Sequence, residues 1–434
     1  MLASILIVFL VSLAIGIPIA IALILTVVVA CLMNPMLPID GLFIFKNLVL
    51  GLNVYAILAV PLFVLAGVIM SRGGISRRLV NFFAYFIGKF TGGLPSTTVA
   101  TCLFYGAISG SGPATTAAVG MMSVPYLTDK GYDRDFSVAL VAVAGGLGVI
   151  IPPSVPFIMY GTSTNTVSVG GMFKAGVMPG LLIGVFLMAY CYFRCRRTGE
   201  DKAVLVAAYN EMHQGGFAKS FLGILKESGP ALLMPVIILG GIYGGVMTPT
   251  EAAAVSVLYA LFLSMVVYKT ITIKDIPGIL KESLESGVPM NLVVAAATVF
   301  TRCLTLLQIP QMVTVFLSGF LQTKFIFLLG MNLLLLFVGM IMDTTSAILI
   351  LTPLLLPVAQ GLGINPYHFG VIMVVNLAIG FVTPPVGVNL YVASGISGMS
   401  VMDIAKKALP FIAVFFLALI IITYIPAIST LLVG

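Results

Sequence analysis

Four long stretches of this chain carry no formal charge, and this feature restricts the possible folds most strongly. They cover residues 1–39, 90–128, 136–173 and 344–402, and each exceeds the roughly 20 residues that a membrane-spanning helix needs. Only 8% of all residues are charged, against roughly 25% in a soluble domain. Because unbroken apolar runs take the place of the alternating segments of a barrel, the sequence predicts an all-α polytopic membrane protein.

Related motifs occur in the two halves of the chain. The first half has the polar loop Ser109-Gly-Ser-Gly-Pro-Ala-Thr-Thr before the pair Pro152-Pro153, and the second has Asp343-Thr-Thr-Ser before Pro384-Pro385. A shift of 232 positions superimposes the two proline pairs, and it also aligns Pro125 with Pro357, Gly131 with Gly363, Gly148 with Gly380, Ser168 with Ser400 and Lys174 with Lys406. A shared register of this length indicates an internal repeat.

The repeat predicts two halves with the same parts. Each half is expected to hold scaffold helices, a re-entrant helical hairpin and a helix broken at its proline pair, because irregular backbone at membrane depth must be buried in protein or line a wet cavity. The predicted divisions are a first half at 1–197 with its hairpin at about 94–125 and its broken helix at about 137–160, a cytoplasmic connector at 198–225, and a second half at 226–434 with its hairpin at about 325–360 and its broken helix at about 368–394. We expect inverted repeats, since the matched loops must meet at one midplane site.

Charge and periodicity add expectations for individual segments. The basic interval with Arg72, Arg77 and Arg78 predicts a cytoplasmic loop, and hence a cytoplasmic N-terminus. One helix is expected over about Ser4 to Leu32. The interval 269–285 has helical apolar spacing and is expected to lie on the membrane surface before a separate crossing. The connector is interpreted either as an amphipathic helix or as a solvated linker.

Breaking a helix at membrane depth leaves carbonyl oxygens without intrahelical partners, and such oxygens suit sodium. The predicted sodium-binding set consists of carbonyls, hydroxyls and one carboxylate: Gly146, Gly148, Gly380, Ser109, Ser111, Ser154, Thr345, Thr383 and Asp343. Asp343 is the only acidic residue from Lys324 to Met402, and an ionisable group at this depth is a functional candidate, either as a cation ligand or as a proton carrier. The alternative is that the small residues only allow close helix packing.

An anionic substrate is favoured by the N-termini of the half-helices, whose dipoles attract negative charge. Arg302 lies in an apolar crossing and offers a planar fork for a substrate carboxylate. It could instead extend to the interface or form a structural pair with Asp343. The other predicted substrate-binding residues are Thr115, Thr116, Asn165, Thr345 and Asn389.

Several classes of protein are disfavoured. The chain has no Walker loop, no nucleophile beside a base and no metal-ligand cluster, so we predict neither an ATP-driven pump nor an enzyme, with sodium as the only metal and no organic cofactor. The five cysteines do not indicate a disulfide framework. The net charge of +7 comes from basic residues scattered at the ends of apolar segments, which fits a lipid bilayer and not nucleic acid. His213 and His368 receive no role.

The tip loop at Ser109, the run Gly-x-x-Ile-Pro-Pro-Ser ending at Ser154 and the run Gly-x-x-Thr-Pro-Pro-x-Gly-x-Asn ending at Asn389 resemble the large membrane subunit of tripartite ATP-independent periplasmic (TRAP) transporters, the DctM-like or SiaM-like proteins of the ion transporter superfamily. The resemblance covers nearly the whole chain. It implies a multi-pass permease of the bacterial inner membrane that imports organic acids, such as C4-dicarboxylates or sialic acid, with sodium. It also implies a small DctQ/SiaQ-like membrane subunit, a periplasmic substrate-binding protein and an elevator-type transport domain that moves against a scaffold.

Two other functions stay open at this stage. The first is a stand-alone divalent-anion/sodium symporter that needs no partner subunits. The second is a channel or structural membrane subunit without coupling. Reconstitution into liposomes separates these two functions from the TRAP-type importer, because only the TRAP-type importer requires partner proteins for sodium-driven uptake.

Overall fold

A computed structural model describes residues 2–34, 38–164, 166–200, 205–206, 217–320 and 323–433. Its described residues form helices and connecting turns, with no strand among them. Eight helices are long and apolar enough to cross a membrane, judged by length and composition. The prediction of an all-helical polytopic membrane protein is therefore confirmed.

The described residues of the first half form ten α-helices. They are α1 (Leu2–Ala14), α2 (Ile19–Met33), α3 (Gly41–Leu52), α4 (Ala59–Arg72), α5 (Ile75–Ile87), α6 (Gly93–Ser109), α7 (Gly112–Asp129), α8 (Arg134–Ala144), α9 (Val155–Ser163) and α10 (Val169–Thr198). Short 3-10 helices, Tyr55–Leu58 and Gly145–Val149, precede α4 and follow α8.

Ten more α-helices lie in the described part of the second half. They are α11 (Phe217–Tyr243), α12 (Pro249–Phe262), α13 (Ile276–Leu306), α14 (Ile309–Phe320), α15 (Lys324–Ile341), α16 (Thr344–Gly361), α17 (Pro366–Gly380), α18 (Val388–Ser397), α19 (Val401–Tyr424) and α20 (Ala427–Thr430). A π-helical turn at Leu263–Val267 follows α12, and a 3-10 turn at Ile273–Asp275 precedes α13.

Two predicted segments have different boundaries in the structure. The single N-terminal helix expected over Ser4 to Leu32 is two helices, because Gly16 takes a left-handed conformation (φ 86°) and Pro18 cannot donate a helical hydrogen bond. The surface segment and the crossing after it are one continuous helix, α13, with Pro289 inside it. Half of the connector at 198–225, residues 201–204 and 207–216, lies outside the described residues, and α11 begins within the connector, at Phe217.

Helix boundaries in the two halves correspond at the shift of 232 positions. Helix α7 covers 112–129 and α16 covers 344–361, so both ends correspond. The first residues of α8 and α17, Arg134 and Pro366, differ by the same number, as do those of α10 and α19, Val169 and Val401. The proline pairs Pro152-Pro153 and Pro384-Pro385 both contain cis peptide bonds.

Contacts between the halves follow the same correspondence. Helix α7 packs against α18, and α16 packs against α9. In both cases the helix that follows the polar loop of one half contacts the helix that follows the proline pair of the other half. In the same way α8 packs on α19 and α10 packs on α17. Helices α2, α3 and α4 pack against α13, and α4 also packs against α12.

Candidate functional site

The first tip, residues 109–113, joins α6 to α7. Gly110 has the left-handed conformation (φ 61°) that ends α6, and the Ser111 hydroxyl caps α7 by accepting a hydrogen bond from the Ala114 amide (3.4 Å). The Thr115 hydroxyl donates to the Ser111 carbonyl (2.8 Å), and its oxygen lies 3.0 Å from the Ser109 hydroxyl. These oxygens are therefore clustered before any ligand binds.

The first break, residues 145–154, packs directly on the first tip. A Cβ added at Gly148 would lie 2.3 Å from Thr115 Oγ1 and 2.7 Å from the Ser111 carbonyl oxygen, so only glycine fits there. The Val155 amide donates to the Gly110 carbonyl (3.3 Å). The Ser154 hydroxyl donates to the Val149 carbonyl (2.5 Å) and caps α9.

Gly146, also in the first break, has different neighbours. The nearest atom to a Cβ there would be the Ala378 carbonyl oxygen, at 3.5 Å, which belongs to α17. The structure therefore brings Ser109, Ser111 and Gly148 together at the tip, while Gly146 faces the second half.

The second tip, residues 341–345, joins α15 to α16. The Asp343 carboxylate caps α16, accepting hydrogen bonds from the Ser346 amide (3.0 Å) and the Ser346 hydroxyl. The second break, residues 381–387, packs on this helix pair, since the Val386 amide donates to the Met340 carbonyl (3.1 Å). The Thr383 hydroxyl donates to the Ile379 carbonyl (2.8 Å).

Gly380, just before the second break, lies against the backbone of α15. A Cβ at this position would lie 2.3 Å from the carbonyl oxygen of Gly339. The predicted sodium ligand Gly380 thus sits at a close contact between two helix backbones. Its carbonyl oxygen accepts the Thr383 amide (3.2 Å).

Both tips line one cavity of about 430 Å³, called the tip cavity below. Its polar lining comes from Ser111 of the first tip, from Asp343, Thr344 and Thr345 of the second, and from Ser286 of α13. Apolar residues of α13 form part of the remaining wall: Pro289, Met290, Leu292 and Val293.

Five helices present a residue of their first turn to the tip cavity. These residues are Ile19 of α2, Pro113 of α7, Val155 of α9, Thr344 of α16 and Val388 of α18. The helix dipole makes each N-terminus favourable for negative charge. The cavity therefore suits an organic anion with an apolar part, while the single carboxylate of Asp343 suits a cation beside it.

Three buried oxygens near the tips lack hydrogen-bond partners in the described part of the chain: Thr116 Oγ1, Thr344 Oγ1 and Asn389 Oδ1. Thr116 lies against Gly145, where a Cβ would come within 1.9 Å of its hydroxyl oxygen. Asn389 donates from Nδ2 to the Ala142 carbonyl of α8 (3.0 Å). Unpartnered buried oxygens are costly, and a hard cation compensates that cost.

Not all predicted substrate-binding residues reach the tip cavity. Thr345 lines it, whereas Thr115, Thr116 and Asn389 are buried behind the tips. Asn165 lies outside the described residues. Arg302 lines a different cavity of about 330 Å³, and no ion pair joins it to Asp343 although both residues are described.

Sequence reasoning missed two features of this region. One is the wall of α13 at Ser286 and Met290, for which the sequence carries no local signal. The other is a buried polar chain in the second half, in which Asn376 Nδ2 donates to Asn332 Oδ1 (2.8 Å) and Asn332 Nδ2 donates to Thr423 (3.2 Å). His368, which received no role, is buried against the Thr423 carbonyl (3.1 Å).

Known proteins are similar to this chain along most of its length. Residues 6–428 match the family described as "Tripartite ATP-independent periplasmic transporter, DctM component". The chain is 40% identical to the C4-dicarboxylate TRAP transporter large permease protein DctM of Pseudomonas aeruginosa, covering 86% of this chain and 85% of that protein. It is 38% identical to the sialic acid TRAP transporter large permease protein SiaM of Vibrio cholerae, covering 88% and 87%.

A third relative is longer than this chain. The isethionate TRAP transporter permease protein DctMQ of Oleidesulfovibrio alaskensis is 41% identical over 98% of this chain, and the chain spans 65% of its length. Among solved structures, the YdaH transporter of Alcanivorax borkumensis matches with a TM-score of 0.60 at 15% identity over 89% of each chain. This last likeness concerns the fold alone.

The family match and the eight apolar helices confirm three expectations: the TRAP resemblance, the multi-pass location in the bacterial inner membrane and a transporter subunit that is not an enzyme. TRAP large permeases in general work with a small membrane subunit and a periplasmic binding protein. The chain belongs to the DctM family and is the large permease subunit of a TRAP transporter.

Proposed function

We propose that this chain imports a carboxylate-bearing organic acid together with sodium, as a secondary active transporter. The observation that carries the proposal is the tip cavity, where five helix N-termini meet beside clustered oxygens. Helix N-termini favour the acid group, and the oxygens favour the cation. One region thus provides for both charges, which is what coupled transport requires.

Sodium is proposed to bind at both tips. At the first, the carbonyl of Ser111 and the hydroxyls of Ser109 and Thr115 lie within hydrogen-bonding reach of one another. At the second, Asp343 supplies the negative charge and Thr345 lies in the same helical turn. Thr115, Thr116 and Asn389 are reassigned here from substrate to cation binding. The Thr115 hydroxyl belongs to the cluster at the first tip, and the oxygens of Thr116 and Asn389 are buried and unpartnered.

The substrate is proposed to be an acid of the C4-dicarboxylate or sialic acid type. Relatives carry the names of C4-dicarboxylate, sialic acid and isethionate transporters, and each of these compounds has an acid group. A cavity of about 430 Å³ accommodates acids of this size. The periplasmic binding protein would deliver the acid, and a small DctQ/SiaQ-like subunit would complete the permease.

The architecture supports two inverted repeats and an elevator motion. The exchange of contacts between halves, α7 with α18 and α16 with α9, is what a pseudo-two-fold axis produces. The tips and breaks form one wall of the cavity and α13 with α2 forms the other. We propose that the first wall belongs to a transport domain and the second to the scaffold, and that the two slide past each other.

Uptake by reconstituted protein tests this function. Liposomes would hold the chain with a small membrane subunit, and a loaded periplasmic binding protein would be added outside with succinate, N-acetylneuraminate or isethionate. The proposal predicts uptake of at least one acid only when both partners and an inward sodium gradient are present. Uptake by the chain alone would instead identify a stand-alone symporter, which the names of the relatives do not favour.

A further inference from the structure

The cavity around Arg302 is separate from the tip cavity and has its own chemistry. It measures about 330 Å³ and is lined by Arg302, Thr298 and Thr301 of α13 and by Thr162 and Ser163 at the end of α9. In the part of the chain that the structure describes, the exposed guanidinium of Arg302 makes no hydrogen bond and no ion pair. The five N–H donors of Arg302, which lines this cavity, therefore have no hydrogen-bond partner among the described residues.

The neighbouring hydroxyl of Thr301 is also available. The hydroxyls of Thr298 and Thr305 donate to carbonyls of their own helix, at 3.0 and 2.8 Å, whereas no such bond is found for Thr301 among the described contacts. Thr298 and Thr301 are three residues apart and share one helix face with the cavity. A cation and a free hydroxyl donor together suit an oxyanion.

Helix α13 passes three cavities in succession. Glu282 and Ser286 line a cavity of about 310 Å³ next to the first tip, Ser286 and Val293 line the tip cavity, and Thr298 and Arg302 line the third. At 1.5 Å per residue, the 20 residues from Glu282 to Arg302 span about 30 Å, the thickness of the hydrocarbon layer. Arg302 therefore lies at the opposite membrane face from Glu282.

That opposite face is the outer one. Glu282 pairs with Arg72 at 2.6 Å, and Arg72 belongs to the basic loop that the positive-inside rule assigns to the cytoplasm. Arg302 is thus at the periplasmic end of α13. From Val293, which lines the tip cavity, to Arg302 the helix rises about 14 Å, and Arg302 does not line the tip cavity.

We propose that Arg302, with Thr301, forms an outer capture subsite for the acid group of the incoming substrate. This inference rests on the proposed function and extends it to a second place on the pathway. A carboxylate or sulfonate would accept hydrogen bonds from the guanidinium before it moves to the tips. The planar fork holds two oxygens of such a group at once, which a lysine cannot do.

Protection from chemical labelling tests the subsite directly. Thr298→Cys, in a variant whose five native cysteines are replaced by serine, would be modified by a neutral thiol reagent in right-side-out vesicles that hold the small membrane subunit. We expect external succinate, N-acetylneuraminate or isethionate to slow the labelling of Thr298→Cys severalfold. The protection should be lost with Arg302→Gln and weakened with Arg302→Lys, while Arg196→Gln, an exposed arginine in the last turn of α10, should keep it.

The outcomes separate this inference from the proposed function. Binding protein is absent during labelling, so protection cannot arise from its docking on Arg302. The Thr298→Cys protein with an unchanged Arg302 is first tested for uptake with sodium and loaded binding protein. If it takes up an acid, yet that acid gives no protection or protects the Arg302→Gln variant equally, the subsite is refuted and the proposed function is not. If no acid is transported in those vesicles, the proposed function fails.

Discussion

Asp343 shows how one residue serves both the fold and the site. Its carboxylate caps α16 through the Ser346 amide, and the same side chain lines the tip cavity. Asparagine caps helices as well as aspartate does, whereas alanine does not. The two roles can therefore be separated by substitution.

Asp343→Asn should keep the fold and raise the half-saturating sodium concentration for uptake about tenfold, since it removes the charge from the cation site. Asp343→Ala should additionally cost about 1 kcal/mol of stability through loss of the cap. Thermal unfolding and sodium titration of uptake measure the two effects. Asp403→Asn, an exposed N-terminal acid of α19, should change neither, and an unchanged sodium dependence in Asp343→Asn would exclude Asp343 as a ligand.

Gly380 gives a stability prediction with a matched control. Alanine there would bring Cβ to 2.3 Å from the Gly339 carbonyl oxygen, a backbone atom that can move only with α15, so we expect a loss of about 1–3 kcal/mol. Gly330→Ala in α15 meets nothing within 4 Å and should leave stability unchanged or raise it by up to about 1 kcal/mol. Equal melting temperatures for the two variants would contradict the close contact.

The sequence predicts which residue types form the site better than it predicts which of them face the cation and which face the substrate. Ser109, Ser111 and Gly148 do lie together, because the tip and the break of one half are close in the chain and pack on each other. Asn389 and Thr116 are buried away from the tip cavity instead of lining it. That outcome depends on how α18 packs against α7 and α8, which no local pattern specifies.

At the scale of elements, the sequence predicts helices well and their continuity poorly. Charge-free apolar sequence with two prolines predicts a helix break at each proline pair. The described structure has no α-helix at 145–154 or at 381–387. The sequence does not predict the break at Gly16, because glycine is common in membrane helices. Helix α13 continues through Pro289 because packing against neighbouring helices stabilises it there. The re-entrant hairpin expected at about 325–360 stays a prediction, since α15 and α16 are both long enough to span a membrane.

The elevator proposal predicts that α6 must slide along α4. A Cβ at Gly67 of α4 would lie 3.3 Å from the Cβ of Ser109 in α6. A variant with both Gly67→Cys and Ser109→Cys should therefore form a disulfide in the conformation described above. Oxidation of this pair should stop uptake, and reduction should restore the rate measured before oxidation. The single variant Ser109→Cys is the reference for both rates.

A second pair within the scaffold is the control. A Cβ at Gly287 of α13 would lie 3.9 Å from the Cβ of Pro61 in α4, and the Pro61→Cys, Gly287→Cys disulfide should leave uptake unchanged. Full uptake by the oxidised Gly67/Ser109 pair would show that no relative motion of α4 and α6 is needed.

For the whole molecule, inverted repeats predict opposite exposure of corresponding helix ends. Thr128 near the end of α7 and Gly361 at the end of α16 are both exposed, and they occupy nearly equivalent positions in the two halves. Cysteines at these two sites should react with a membrane-impermeant thiol reagent from opposite faces of the membrane. Reaction of both from the same face would contradict the inverted arrangement.

The predicted internal repeat is the main basis of the architecture that we expect. The two proline pairs and the aligned glycines identify equivalent parts, and the helix boundaries at 112–129 and 344–361 have the same register. Which helix of one half contacts which helix of the other could not be read from the sequence, because no local pattern specifies tertiary packing. The wall of α13 is likewise set by tertiary packing.

Steady-state accumulation tests the central claim of sodium coupling most directly. Liposomes with the complete complex would be loaded with fixed internal sodium, and the internal to external ratio of the transported acid would be measured as external sodium is raised. With sodium coupling, we expect the ratio to exceed one only with an inward sodium gradient, to rise with that gradient and to collapse when it is dissipated. An acid that reaches the same ratio at every sodium gradient would show that its transport is not coupled to sodium.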